Sequence, residues 1–156
     1  MEKGTEVEFI PLEAADAAEV SAMLRAARAE YAAHFHPFAF DEGSVRSALE
    51  RARRDQYWGV QVGGELAGIV MLRGFDDGYA VPAFGVFVAE EFAGRGLGRR
   101  ALEEATRWCE AKEVTEIMLT VHPENTRAAR VYEQAGFVAT GERIEGRIVM
   151  RKKVGA

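Results

Sequence analysis

Apolar residues recur along the chain with two periods. Residues 5–10, TEVEFI, alternate and predict a strand. From Ala14 to Ala33 the spacing lengthens: Val20, Leu24 and Tyr31 recur near helical spacing in an alanine-rich stretch between Pro11 and Pro37, which predicts a helix. A second helix is predicted from Ser44 to Arg54, and between the two lies an aromatic loop, HFHPFAF, residues 34–40. Period 2 then returns. YWGVQV (57–62) and ELAGIVMLR (65–73) predict two strands joined by Gly63-Gly64, a tight-hairpin dipeptide. FDDGYAVP (75–82) predicts a turn and AFGVFVA (83–89) a third strand of this group. A glycine-rich stretch leads into a helix ending near Lys112, with Leu97, Ala101, Ala105, Trp108 and Cys109 on one face. VTEIMLTV (114–121) predicts a strand. A helix over 125–135 follows, carrying Ala128, Val131, Tyr132 and Ala135 as a stripe and Gly136 where a helix-ending glycine belongs. FVATG and GRIVMRKKV predict a closing hairpin. The order β-α-α-β-β-β-α-β-α-β-β predicts an α/β chain with one mixed sheet and helices on both faces.

A length of 156 residues suits a single domain over 1–156. The net charge of −5 argues against a general nucleic-acid partner. The opening MEKGTEVEFI has neither the basic start nor the apolar run of a secretory leader. No apolar stretch approaches the roughly 20 residues needed to span a bilayer. Cys109 is the only cysteine, so no internal disulfide can form. A cytoplasmic protein, monomeric or homodimeric and without a membrane partner, is the expectation. Three histidines and one cysteine offer too few ligands for a structural metal site.

Residues 92–102, FAGRGLGRRAL, put Gly94, Gly96 and Gly98 at alternate positions between a strand and a helix. The first N–H groups of a helix have no internal partner, and with the helix dipole they attract an anion. Glycines let that backbone approach closely. Arg95, Arg99 and Arg100 add positive charge to an acidic chain, and Arg127 and Arg130 can add more from the later helix. A pyrophosphate fits this turn; a plain strand-to-helix turn with solvated arginines fits equally well. Gly96 to Ala101 also matches the dinucleotide pattern G-x-G-x-x-A. However, the turn falls past mid-chain, and the next strand ends in Thr120-Val121-His122 with no acid for a ribose. No phosphate-loop motif G-x-x-x-x-G-K-[ST] occurs.

Two segments taken together, VFVAEEFAGRGLGRRA (86–101) and LTVHPENTRAARVYEQAGF (119–137), resemble the paired motifs of the GCN5-related N-acetyltransferases. Gly96 and Gly98 match the family's Q/R-x-x-G-x-G/A. Asn125, Ala128, Tyr132, Gly136 and Phe137 match N-x-x-A-x-x-x-Y-x-x-x-G-F at every fixed position. The strand order matches as well, so the resemblance covers nearly the whole chain. Ala93 departs from it, standing where the family has Gln or Arg.

The resemblance implies acetyl-CoA as donor, a primary amine as acceptor, and direct attack through a tetrahedral intermediate. It implies pyrophosphate contacts from Gly94, Arg95, Gly96, Leu97, Gly98 and Arg99. It implies backbone pairing of the pantetheine arm with Val86, Phe87 and Val88, an N–H near Phe87 on the acyl oxygen, an arm contact from Asn125, and Tyr132 as general acid. Read from the residues alone, Asn125 is a helix N-cap and Tyr132 a core tyrosine, and the N-cap can coexist with a cofactor contact. The base stays open. The first-motif strand has Ala83-Phe84-Gly85 where some relatives carry a glutamate, and Thr120 stands where ribosomal-protein N-terminal acetyltransferases carry one. Asp76, Asp77, His34 and His36 are the candidates, with Tyr79 and His122 behind them. Arg73, Asp76, Asp77 and Tyr79 are the candidate acceptor contacts. His34-x-His36 has no evident third metal ligand. The stretch MLRGFDDGYAVPAFGVFV is similar to acetyltransferases found with surface-polysaccharide genes, which implies an amino-sugar acceptor, while the acidic pair Asp76-Asp77 equally favours a cationic amine by charge attraction. A non-catalytic acyl-CoA sensor, a peptide N-acetyltransferase and an NAD-binding fragment remain as alternatives.

Overall fold

The computed structural model describes residues 6–155. Thr5, at the head of the first predicted strand, lies outside them. The elements follow the predicted order: β1 (Val7–Pro11), α1 (Ala17–Ala26), α2 (Glu42–Arg51), β2 (Gln56–Val62), β3 (Glu65–Arg73), β4 (Ala83–Val88), α3 (Leu97–Ala111), β5 (Glu116–Val121), α4 (Thr126–Gln134), β6 (Val138–Ile144) and β7 (Arg147–Lys153). Among the described residues no helix is long and apolar enough to cross a membrane.

All the strands join one seven-stranded sheet ordered β1-β2-β3-β4-β5-β7-β6. The β2–β3 hairpin turns on Gly63 and Gly64, at φ 58° and 86°, the double left-handed geometry of a two-residue hairpin. Every neighbouring pair is antiparallel except β4 and β5, which run parallel and meet at one position, Ala83 opposite Met118. There the Met118 N–H donates to the Pro82 carbonyl at 3.0 Å. Beyond that point β4 stays with β3 through Val88, β5 stays with β7 through Val121, and the sheet opens between them.

The unbroken apolar run of β3 is explained by burial on both faces. Ile69 and Met71 pack with Val20, Leu24, Val45 and Leu49 of α1 and α2. Val70 and Leu72 pack with Leu97, Ala101, Ala105 and Cys109 of α3, the face that also takes Ala128 and Tyr132 of α4. Gly68 is obligatory here, since a Cβ would stand 2.4 Å from the Phe87 carbonyl oxygen.

Two predicted helices end elsewhere than expected. α1 stops at Ala26, not Ala33, because Ala27 turns extended (φ −72°, ψ 143°). Residues 27–33 are strong helix formers, but tertiary contacts override that preference. Arg28 pairs with Glu90, Tyr31 reaches the end of β4, and Phe35 packs on Phe87 at 5.2 Å between ring centroids. α2 starts at Glu42, two residues early, because Asp41 accepts from the Ser44 N–H at 2.9 Å as N-cap, and it ends at Arg51 instead of Arg54. α4 ends as expected. Gly136, at φ 100°, donates to the Glu133 carbonyl and Phe137 to that of Tyr132, a Schellman closure.

Candidate active site

The glycine turn forms where β4 gives way to α3. Phe92 and Leu97 are buried and pin its two ends, while the residues between them are exposed. Gly94 and Gly96 take φ 79° and 75°, and Gly96 caps α3. The first bond closing the helix runs from the Arg100 N–H to the Gly96 carbonyl at 3.1 Å. The N–H groups of Leu97, Gly98 and Arg99 therefore have no partner within the helix. A Cβ built on Gly94, Gly96 or Gly98 would touch nothing within 4 Å, so no other part of the protein packs over the turn on that side. Arg95 lies over the Phe92 ring at 5.0 Å, and Arg99 donates to the Gln134 side chain at 3.1 Å, linking the turn to the end of α4. This open cradle of main-chain donors fits a diphosphate.

The gap between β4 and β5 leads from that turn toward Ala83. In an antiparallel pair, backbone groups alternate between facing the partner strand and facing away. The Ala89 N–H donates to the Ala67 carbonyl at 2.7 Å, and the register pairs Phe87 with Ile69 and Gly85 with Met71. Phe87, Gly85 and Ala83 therefore bond to β3, while Phe84, Val86 and Val88 turn their N–H and C=O toward the gap. This corrects the expectation for Phe87: its amide faces β3, and its side chain is buried in the α1–α2 core. The slot-facing donors are Val86 and Val88. The Val88 carbonyl already accepts from the Tyr31 hydroxyl at 2.7 Å.

On the α3 face, α4 brings Tyr132 up to this gap. Its ring packs edge-on against both Phe84 (centroids 6.3 Å apart) and Phe137 (6.0 Å). Burial pushes the phenol up to about 12, and the charge of Arg147 pulls against that rise. Asn125 caps α4, accepting from the Ala128 N–H at 3.3 Å, which leaves its amide NH₂ free to donate. Both roles weighed for Asn125 are thus open to the same side chain.

The base candidates part ways. Asp76 accepts from the N–H groups of Arg53 (2.9 Å), Arg54 (2.7 Å) and Asp55 (3.3 Å), which hold its carboxyl below the ordinary range. In return, the Asp55 carboxylate accepts from the N–H groups of Gly74 (3.0 Å) and Asp76 (3.1 Å). This reciprocal clamp fixes the β3–β4 turn, and the Asp76 oxygens are engaged in it. Asp77 and Tyr79 are exposed on the same turn. Arg73 donates to the Pro37 carbonyl at 3.0 Å and lies over Phe38, so it holds the aromatic loop. His36 bonds back to the Ala33 carbonyl within that loop. His34 instead stacks on His122, ring centroids 3.9 Å apart and 20° from parallel. The Glu124 N–H donates to His122 Nδ1 at 3.1 Å, which puts the proton of the neutral ring on Nε2.

Sequence reasoning missed Tyr31 and Arg147. Tyr31 is hidden inside an apparent helix. Arg147 has no local mark, because its neighbours across the sheet follow from the β5–β7 register alone.

A model of the acetyltransferase (GNAT) family matches residues 20–137, and the chain belongs to that family. It is therefore an acetyl-CoA-dependent N-acetyltransferase by class. PaiA N-acetyltransferase from Thermoplasma acidophilum, solved in complex with coenzyme A, has the same fold. Its TM-score is 0.78 at 16% identity, with 96% of this chain and 99% of that chain covered. The ribosomal-protein-S5-alanine acetyltransferase from Vibrio fischeri superposes with a TM-score of 0.76 at 21% identity, covering 95% and 93%. Mutant forms of the spermidine/spermine N-acetyltransferase SpeG from Vibrio cholerae give 0.72 at 21%, covering 94% and 93%. No curated protein matches the sequence.

Proposed function

We propose that this chain transfers the acetyl group of acetyl-CoA to a primary amine entering from the α1–α2 loop side of the sheet. The observation that carries this reading is the opening between β4 and β5 beyond the single Ala83–Met118 bridge, lined by the Val86 and Val88 amides and ending at the open glycine turn.

Acetyl-CoA supplies an activated acyl carbon. The amides of residues 94–99 hold its diphosphate, and the slot-facing groups of Val86 and Val88 align the pantetheine arm as a neighbouring strand would. One of those N–H groups faces the thioester oxygen and stabilises the charge that builds there. A lysine-like amine is neutral in only about one molecule in 10³ at pH 7, a cost of roughly 4 kcal/mol, so a base is needed. His34 fills that role, directly or through water. Its partner His122 holds the Glu124 N–H on Nδ1 and has no free lone pair in the neutral ring. As the C–N bond forms and the C–S bond breaks, the proton leaves the amine for His34, and the Tyr132 hydroxyl hydrogen-bonds to the departing sulfur. With the phenol near 12 and a thiol near about 8.5, full proton transfer would be uphill by roughly 5 kcal/mol. Tyr132 therefore acts as a hydrogen-bond donor, and the thiolate takes its proton from water.

The acceptor is a primary amine. The amino-sugar preference implied by sequence has no support among the relatives above, whose names point to polyamines and a ribosomal-protein alanine. Thr120, in place of a glutamate, speaks against the ribosomal substrate. The reading places the enzyme in the cytoplasm, where the lone Cys109 stays reduced. Calorimetric titration with acetyl-CoA, followed by thiol release over an amine panel, tests it. Saturable binding with turnover is expected. Binding without turnover on any amine would favour the sensor alternative, and no binding would end both.

A further inference from the structure

We propose that Arg147, beside the His34–His122 stack, binds an oxyanion of the acceptor, so that the substrate is an amine carrying a carboxylate or a phosphate. This rests on the acetyltransferase reading above and names its substrate class.

The placement follows from the sheet register. β5 and β7 pair through Val121 opposite Ile148, so one step further sets His122 opposite Arg147. Opposed residues in an antiparallel pair project to the same face. The His122 ring stacks on His34 of the α1–α2 loop, so Arg147 leaves the sheet on that loop's side, the acceptor side. Ile148 and Met150, between the odd-numbered positions, pack on the opposite face with α3.

The chemistry follows from what surrounds the guanidinium. Its Nε is buried and has no hydrogen-bond partner. Among the described residues Arg147 forms no salt bridge, whereas Arg151, four residues along the same face, pairs with Glu116 at 3.3 Å. Arginine stays charged at any working pH, and a buried charged donor without an acceptor is unfavourable. Its planar fork matches two oxygens of a carboxylate or phosphate. The cofactor's own phosphates are served by the glycine turn at the start of α3. The Asp55 and Asp76 carboxylates, charges that a polycation would seek, are taken up by backbone N–H groups. The charge of Arg147 also works against the burial that raises the Tyr132 phenol. A fixed cation there also disfavours the ammonium form of the acceptor, helping the neutral amine to form.

The test uses matched amines with the full-length enzyme: amino acids against their amides, and phosphorylated amino alcohols against the parent alcohols. Thiol release from acetyl-CoA is followed for each. The oxyanion member of at least one series is expected to have a kcat/KM at least about 10-fold above its neutral partner, mainly through KM. The series that shows it separates carboxylate from phosphate. Arg147→Met should bring that ratio close to one, and Arg147→Lys should keep part of it. For amines that do not turn over, the same ratio is read from Kd with the CoA-loaded protein. Calorimetry with acetyl-CoA confirms that each variant is folded. The proposal is overturned by a wild-type ratio of one or less in every series, by absence of binding to all members, or by an Arg147→Met loss equal for both partners. If the wild type fails to bind acetyl-CoA, the acetyltransferase reading falls first and takes this proposal with it.

Discussion

His34 and His122 lie face to face, with ring centroids 3.9 Å apart and planes 20° from parallel, one on the α1–α2 loop and the other just past β5. A base in this pair needs a ring nitrogen whose lone pair is free to take a proton. His122 would have to give up the Glu124 N–H to accept it at Nδ1, whereas no such bond ties His34. His34→Ala is expected to lower kcat/KM by about 10²-fold, the low end for losing a general base. Added imidazole should restore part of the rate. Steady-state kinetics at saturating acetyl-CoA checks this, and full activity in the variant would remove His34 from the mechanism.

Tyr132 gives a prediction about alkaline pH. Because burial raises its phenol to about 12, the hydroxyl stays protonated through the working range. No loss of kcat from its ionisation is expected below about pH 11. Tyr132→Phe should lower kcat by about 10- to 100-fold while keeping the packing against Phe84 and Phe137, consistent with one lost hydrogen bond to a charged group. The linkage has a definite sign. An unfolded tyrosine releases its proton near 10 and the folded one near 12, so between those values the unfolded state binds fewer protons and stability falls as pH rises. Tyr132→Phe should flatten that part of the profile in thermal melts.

The Asp55–Asp76 clamp is structural and should behave so. Asp76→Ala is expected to lower Tm by a few degrees and to reduce kcat/KM less than His34→Ala does. The folded Asp76 carboxyl titrates below its ordinary 3.8, so its contribution is complete above that value and is lost as pH falls through the lowered one. The Tm gap between wild type and variant should hold steady from neutral pH to about 5 and close toward pH 2. A gap independent of pH would mean that the carboxylate charge plays no part.

These residues also mark how far sequence reading reaches. Element order was readable because hydrophobic period is local. The hairpin at Gly63-Gly64, the apolar face of α3 and the Asn125…Gly136 helix all appear where the spacing puts them. The phase of β4 was not readable. Val86, Phe87 and Val88 are all apolar in a strand covered on both faces, so alternation cannot tell which amide faces the slot. The end of α1 was misjudged because Arg28, Tyr31 and Phe35 are held by partners on β4 or just past its end, about 50 to 60 positions away. Arg147 has no local mark for the same reason, since its place depends on the register between β7 and β5.

Ala93 offers a gain-of-function test of the cradle. It is exposed at the end of the short turn formed by Glu90–Phe92, with φ −64° and ψ 152°, immediately before the left-handed Gly94. An extended backbone at that point accommodates any side chain, so a larger residue brings no strain. The family pattern matched by Gly96 and Gly98 has Gln or Arg at this position. In the proposed cofactor site the main-chain amides of 94–99 have only Arg95 and Arg99 beside them, of which the first lies over Phe92 and the second is tied to Gln134. Ala93→Arg adds a charge-assisted donor at the rim of an open, solvated site, where such a contact is worth about 1 kcal/mol. The Kd for acetyl-CoA should tighten by about 3- to 10-fold, with the gain shrinking as salt rises. Ala93→Gln should give a smaller gain that is insensitive to salt. Dephospho-CoA, which keeps the diphosphate but lacks the 3′-phosphate, should show the same ratio between variant and wild type. If the gain is confined to the 3′-phosphorylated cofactor, then Ala93 faces the ribose end and the diphosphate is held further along the turn.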